Sequence, residues 1–277
     1  MEKSRLYALL TILLWSSLAT LGAFTQKLPP FQVTAIALLT GSLISIHRIK
    51  EWALPPATLL LGIFGIFGYH YLLFSAFRNA PAMEVNLLNY LWPLLIVILS
   101  PLFGNGSLRP AHIVSAALGL SGAILIVTNG KIEIPDSFPA GYYMAAGAAL
   151  TWAIYSLACK KLADFPDAAI GCFCFASGIL SLGLHLMTEK TITPAPNEWL
   201  ALLAMGAGPL GLAFVFWKKA MQQGDPKQVG TLAYLAPLLS TILLAASGQG
   251  VLNGNSILAG GLILAGAAGG ILVRDKQ

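Results

Sequence analysis

Charge is what this sequence has least of. Charged residues fill 10% of its 277 positions, sixteen basic and eleven acidic. A soluble domain carries roughly 25%. So few charges cannot coat a water-exposed surface of this size, which excludes a single soluble globular domain. The 57% hydrophobic content equally excludes intrinsic disorder. Cysteine is scarce as well. Cys159, Cys172 and Cys174 are odd in number, lie in or beside apolar stretches, and form no disulfide framework. Cys-Phe-Cys has neither zinc-ligand nor CxxC redox spacing, so the three read as small packing residues. No GxxxxGK[ST] occurs, which leaves an ATP-driven motor unsupported, and no cofactor or metal is expected. No basic run or basic–aromatic stripe accompanies the net charge of +5, so nucleic acid is not an expected partner.

What is present is apolar sequence, with a mean hydropathy of +0.76. Residues 6–26, 28–47, 52–77, 85–108, 110–130, 137–159, 168–188 and 199–217 each lack Asp, Glu, Lys and Arg. The last uncharged run, 228–273, is 46 residues long and breaks at Ser247-Gly248-Gln249-Gly250 and Asn253-Gly254-Asn255. A helix crosses a bilayer with about 20 apolar residues. The expected fold is therefore an all-α membrane protein of ten transmembrane helices, with the lipid bilayer as its surroundings. Lys3 and Arg5 before the first run mimic a signal peptide, but that run is span-length and is read as an uncleaved helix.

With ten spans, one face holds both termini and twelve of the sixteen basic residues; the other holds Lys27, Arg78, Lys131 and Lys190. The positive-inside rule places both termini in the cytoplasm.

The chain repeats itself at an offset of 144 residues. Leu88-Asn-Tyr-Leu-Trp-Pro-Leu-Leu-Ile-Val-Ile-Leu99 matches Leu232-Ala-Tyr-Leu-Ala-Pro-Leu-Leu-Ser-Thr-Ile-Leu243 at eight of twelve positions, including Tyr90/Tyr234 and Pro93/Pro237. The same offset pairs Gly62 with Gly206, Ala76 with Ala220, and Leu120-Ser-Gly-Ala123 with Leu264-Ala-Gly-Ala267. Trp15 and Trp152 pair at a shifted offset of 137. Two five-helix halves follow, residues 1–130 and 131–277. An odd number of spans inserts the second half upside down relative to the first. Inverted repeats are a transporter architecture that works by alternating access.

These features resemble the drug/metabolite transporter superfamily. Within it they resemble the EamA-type ten-helix exporters, and most of all the exporters of aromatic amino acids. The resemblance covers essentially the whole chain. It implies a central cavity lined by helices 1, 3, 4, 6, 8 and 9, with helices 5 and 10 in support. It also implies export from the cytoplasm across a bacterial inner membrane.

The residues nominate a site of their own. In the fourth span Asn86, Asn89, Tyr90 and Pro93 share one helical face, which should turn away from lipid. Pro93 and Pro237 are expected to kink their helices and free a carbonyl each. Tyr69 or His70 is expected to face inward from the third span. Trp15, Trp92, Trp152, Tyr155 and Tyr234 are candidates to stack on an apolar or aromatic substrate, with core packing as the alternative. Trp52, Trp199 and Trp217 lie near span ends and read as interface anchors. Arg78 and Glu84 are a candidate gate pair, against an ordinary turn at Pro81. Ser115/Gly119 and Gly266/Gly270 are small-xxx-small pairs that pack helices 5 and 10 within the chain or into a homo-oligomer.

Mid-span Lys, Arg, Asp and Glu are absent. That disfavours phosphorylated substrates, cationic drugs and a proton cycle on a buried carboxylate. The substrate partner that remains is a neutral or zwitterionic small molecule such as an aromatic or other neutral amino acid, with a multidrug or other metabolite exporter as the alternative. Gly119-Leu120-Ser121-Gly122 also matches the GxSG of intramembrane serine proteases. That chemistry needs a histidine beside the serine, and the repeat mate Ile263-Leu264-Ala265-Gly266 keeps the glycine and loses the serine.

Overall fold

A computed structural model describes residues 2–131, 139–161, 165–248 and 252–273. Among the described residues ten helices of membrane-spanning length make up the fold: α1 (Glu2–Phe24), α2 (Pro30–Trp52), α3 (Pro56–Asn79), α4 (Ala82–Phe103), α5 (Pro110–Thr128), α6 (Ala140–Lys161), α7 (Ala169–Thr188), α8 (Pro196–Gln223), α9 (Pro226–Ala246) and α10 (Gly254–Leu272). All but α6 are apolar enough along their length to cross a bilayer on composition alone. The exception has a physical cause. α6 packs against several helices and carries Tyr142, Thr151, Trp152, Tyr155 and Ser156 as buried residues, so much of its surface meets protein and tolerates polar side chains.

Observed ends differ from the uncharged runs where charge is tucked into helix. α8 continues through Lys218 and Lys219 to Gln223, and Lys227 lies in the first turn of α9. Lys218 is 3% exposed and Lys227 is 1% exposed. Both cations find oxygen partners at the end of the bundle that carries the termini, described below.

The spanning helices are irregular at corresponding places. α3 widens to a π-turn at Phe64–Gly68 and α8 widens at Gly208–Leu212, again 144 residues apart. α4 breaks at Tyr90 and Leu91 and α9 breaks at Ala233 and Tyr234, each just before its proline. A proline at position i removes a hydrogen bond to the carbonyl four residues back. In α9 that carbonyl, Ala233 O, is taken instead by Ala236 N at 3.0 Å.

Packing follows the small residues. α5 lies along α10, α2 along α7, α1 along α8 and α3 along α6. A Cβ on Gly266 would come within 2.6 Å of the Ser115 carbonyl oxygen, and one on Gly122 within 2.7 Å of the Ala259 carbonyl oxygen. Ser115, Gly119 and Gly266, singled out in the sequence as a packing or oligomer face, thus lie at the α5–α10 contact inside one chain, while Gly270 faces Thr231 of α9. Ser121, from the protease-like motif, is exposed and donates to its own helix at Ala117 O over 2.9 Å.

Candidate functional site

The breaks and π-turns surround a cavity of about 250 Å³. α1 contributes Trp15, Leu18 and Ala19; α3 contributes Tyr69 and His70; α4 contributes Asn86, Asn89, Tyr90 and Trp92. α6 adds Trp152, α8 adds Leu210 and Phe214, and α9 adds Ala236 and Ser240. These residues run from the middle of the helices toward the ends opposite the chain termini. None is Asp, Glu, Lys or Arg.

The polar atoms are placed by local bonds. Asn89 donates its Nδ2 to the Tyr69 hydroxyl over 3.1 Å, while its Oδ1 has no hydrogen-bond partner. His70 Nδ1 lies 2.7 Å from the Ile66 carbonyl oxygen. A carbonyl only accepts, so Nδ1 carries the hydrogen and a neutral ring keeps Nε2 as an acceptor. Asn89 Oδ1 and His70 Nε2 thus supply acceptors in a cavity wall that is otherwise mostly aromatic and aliphatic.

Three tryptophans, Trp15, Trp92 and Trp152, form the floor, and a fourth, Trp217, packs beneath them. Trp15 lies 5.9 Å from Trp92, 5.6 Å from Trp152 and 5.0 Å from Trp217 between ring centroids. Trp92 and Trp217 meet edge to face at 5.5 Å. Aromatic pairs favour such edge and offset geometries. Trp15 is held by donating its indole N–H to Pro209 O, in the π-turn of α8, over 3.2 Å. Trp217 is fully buried and donates to Ser156 Oγ over 2.9 Å. Its reading as an interface anchor is therefore corrected. α8 continues past it, so the residue lies inside the bundle rather than at a span end. Trp199 is 42% exposed at the start of α8, where an anchor belongs.

Of the nominated residues, the cavity gathers Trp15, Tyr69, His70, Asn86, Asn89, Tyr90, Trp92 and Trp152. Tyr155 and Tyr234 do not line it. Tyr155 is 1% exposed behind Trp152, and its ring fills the space a Cβ on Gly65 would need, at 2.2 Å. Tyr234 is fully buried between helices. Its hydroxyl accepts from Leu94 N and donates to Tyr90 O, each over 3.2 Å. The Tyr90 carbonyl at the α4 break is therefore held by the protein. Leu18, Leu210, Phe214 and Ser240 were missed, because an apolar or small residue lining a cavity carries no sequence mark that separates it from a packing residue.

The Arg78–Glu84 gate pair is also corrected. Arg78 pairs with Glu189, at the end of α7. Glu189 further accepts from Phe31 N and Gln32 N, in the first turn of α2, at 3.3 Å each, and from His185 Nδ1 at 2.9 Å. Glu189 thus joins the N-terminus of α2 to Arg78 and α7 through hydrogen bonds to a charged group. Glu84 has one buried carboxylate oxygen without a hydrogen-bond partner.

The opposite end of the bundle, where the termini lie, is tied by lysines. Lys218 Nζ donates to Phe165 O and Asp167 Oδ1, both over 2.8 Å, and Lys219 Nζ reaches Asp167 Oδ2 over 2.8 Å. Lys160 donates to Gly224 O, and Lys227 Nζ donates to Asn105 O over 2.7 Å. Partial burial works to raise the Asp167 carboxyl, but the hydrogen bonds from Lys218 and Lys219 outweigh it and hold its pKa below the ordinary value. These contacts join α8 and α9 to the loops beside α6 and α4.

A sequence model of the EamA-like transporter family matches the chain twice, over residues 3–128 and 139–271. The chain belongs to the EamA-like transporter family. It is a multi-pass membrane protein of that transporter class. An aromatic amino acid exporter, YddG of Ancylobacter novellus, is 38% identical over 266 residues that cover 93% of each chain. YddG of Escherichia coli K12 is 27% identical over 88% of each chain. Protein PecM of Dickeya dadantii is 27% identical over 79% of this chain and 76% of its own. A crystal structure at 37% sequence identity superposes with a TM-score of 0.91 and covers 98% of both chains. The EamA-like assignment fits the geometry: both matched stretches supply helices to one cavity.

Proposed function

We propose that this EamA-like protein exports aromatic and other neutral amino acids across a bacterial inner membrane by alternating access, with both termini in the cytoplasm. The carrying observation is the cavity itself, which is aromatic-floored, free of fixed charge and of a volume that suits one such amino acid. Trp152 and Trp92 stack the substrate side chain. Asn89 Oδ1 and His70 Nε2 accept from its ammonium group. The Asn86 amide and the Tyr90 hydroxyl are donors for its carboxylate.

Residues 1–130 and 131–277 act as the two inverted halves. Support comes from the double family match, the paired π-turns and the paired breaks of α4 and α9. The lysine contacts close the cytoplasmic end while the cavity faces the other side. Export as the direction rests on the names of the relatives. The protein is read as a carrier without catalytic chemistry: Ser121 points outward and bonds its own helix.

The test is counterflow in proteoliposomes with labelled phenylalanine, labelled threonine and a cationic dye. Exchange of phenylalanine without dye movement is expected. Dye movement alone would overturn the neutral-substrate reading in favour of a multidrug exporter. Absence of both signals would also overturn the substrate assignment.

A further inference from the structure

Tyr90 and Tyr234 stand at equivalent positions of the repeat, yet they are used differently. Tyr90 lines the cavity, whereas Tyr234 is fully buried, with its hydroxyl inside another helix's backbone. An unbroken α4 would bond Leu94 N to Tyr90 O. The Tyr234 hydroxyl occupies that gap, accepting from one and donating to the other over 3.2 Å each. One hydroxyl has the donor and the lone pair this needs. Without it, two backbone groups would be unpaired at membrane depth, where no bulk water replaces the lost bond.

The seat for this tyrosine is built on one side only. Its ring lies where a Cβ on Gly119 of α5 would stand, at 2.5 Å. The repeat mate of Gly119 is Ile263 on α10, which is itself fully buried. No described glycine of α10 has the Tyr90 ring nearest the place of its missing Cβ. The two halves share the tyrosine and the proline, but only one has the glycine that lets the ring in.

We infer that Tyr234 is a positioning residue for transport: a one-sided wedge that holds the α4 break open and so sets the α4 segment carrying Asn86, Asn89 and Tyr90 against the segment carrying Trp92. The inference rests on the transporter reading above and deepens it. Because the wedge acts in the conformation described here, with the cavity facing away from the termini, it favours that conformation over the opposite one. Loss of the hydroxyl lets α4 close its own Tyr90–Leu94 bond, straighten, and shift the population toward the other state.

The test labels a cysteine at the cavity mouth, Ser240→Cys, with a membrane-impermeant maleimide applied from the non-cytoplasmic side of cells making the full chain. The parent, with its native cysteines alone, gives the background. Tyr234→Phe is expected to slow labelling roughly three- to tenfold, the range one lost hydrogen bond commands. Gly119→Ala reaches the same contact by pushing the ring rather than removing its hydroxyl, and slows labelling likewise. Tyr155→Phe removes another buried hydroxyl of the same bundle and leaves the rate unchanged. Equal rates in the Ser240→Cys chain with and without Tyr234→Phe would overturn the wedge, and so would equal slowing in Tyr155→Phe, which would mark general loosening. Labelling needs no substrate, so a parent chain that failed in counterflow would refute the substrate reading and leave the wedge to be judged on its own rates.

Discussion

The side-chain amide of Asn89 donates to the hydroxyl of Tyr69, twenty residues earlier on the neighbouring helix, over 3.1 Å. That bond fixes the amide and leaves its oxygen as an acceptor without a protein partner. Asn89→Ala is expected to raise the half-saturating phenylalanine concentration in counterflow about two- to tenfold, one hydrogen bond's worth. Tyr69→Phe has a smaller effect, because it removes the support and keeps the amide. The double variant should lose less than the product of the two, as residues that act as a unit do. A full product would show that they act separately.

The tryptophans divide by what they touch. Trp152→Ala removes a cavity wall, and stacking of this kind contributes about 0.5–1.5 kcal/mol beyond burial. Phenylalanine exchange should fall several-fold relative to threonine exchange. Trp217→Ala removes a fully buried residue that packs under the floor and should destabilise the protein by about 3–5 kcal/mol. Unfolding of the purified protein in detergent reads the second effect, and the ratio of the two substrates reads the first.

Glu189 ties α2, α3 and α7 at one end of the bundle, and its side chain is 4% exposed. Glu189→Gln keeps the shape but removes the charge that faces Arg78 and the α2 amides. A loss of about 1.5–3 kcal/mol is expected, since bonds to a charged group carry that much. Arg78→Gln should cost less, because Arg78 is 41% exposed and screened by solvent. Thermal unfolding of the two variants checks the order, and a larger loss in Arg78→Gln would contradict it.

Asp167 carries a pH dependence at the other end. Its folded pKa is lowered, so its contribution is present above the unfolded value of about 3.9 and is lost as pH falls through the folded value. The lysine clasp should therefore hold equally from pH 5 to 8 and loosen only below about pH 4. Asp167→Asn should flatten that acid limb while lowering stability at pH 7. Melting curves of parent and variant from pH 3 to 8 test the sign; an unchanged acid limb would remove Asp167 from the clasp.

Much of the site was legible because the membrane makes polarity conspicuous. Asn86, Asn89 and His70 stand out in sequence with few polar side chains, and lipid penalises them unless they turn inward. Aromatic residues were less decisive. Trp15, Trp92 and Trp152 were read into the cavity and Trp217 onto the surface, yet Trp217 lies beneath the same cavity. A tryptophan near a run of lysines looks like an interface residue until the helix is seen to continue past it.

Pairings across the fold were beyond reach. Glu189 lies 111 residues from Arg78, while Glu84 lies six residues away and is the partner that sequence distance favours. Nothing local marks Glu189 as the acceptor for two first-turn amides of α2. Tyr234 shares its motif with Tyr90, and the motif alone leaves cavity lining and packing equally open for it. The tertiary structure gave the two tyrosines different roles through the contrast of Gly119 and Ile263.

The sequence by itself determined that this chain lives in a bilayer, that it has ten spans, and that its fourth and ninth helices repeat. Those follow from charge, hydropathy and periodicity, which are properties of short segments in a given solvent. Only the tertiary structure decided which tyrosine faces the cavity, which carboxylate holds Arg78 and which tryptophans meet. Those depend on how closely backbones approach, and one missing Cβ at Gly119 is enough to change the answer.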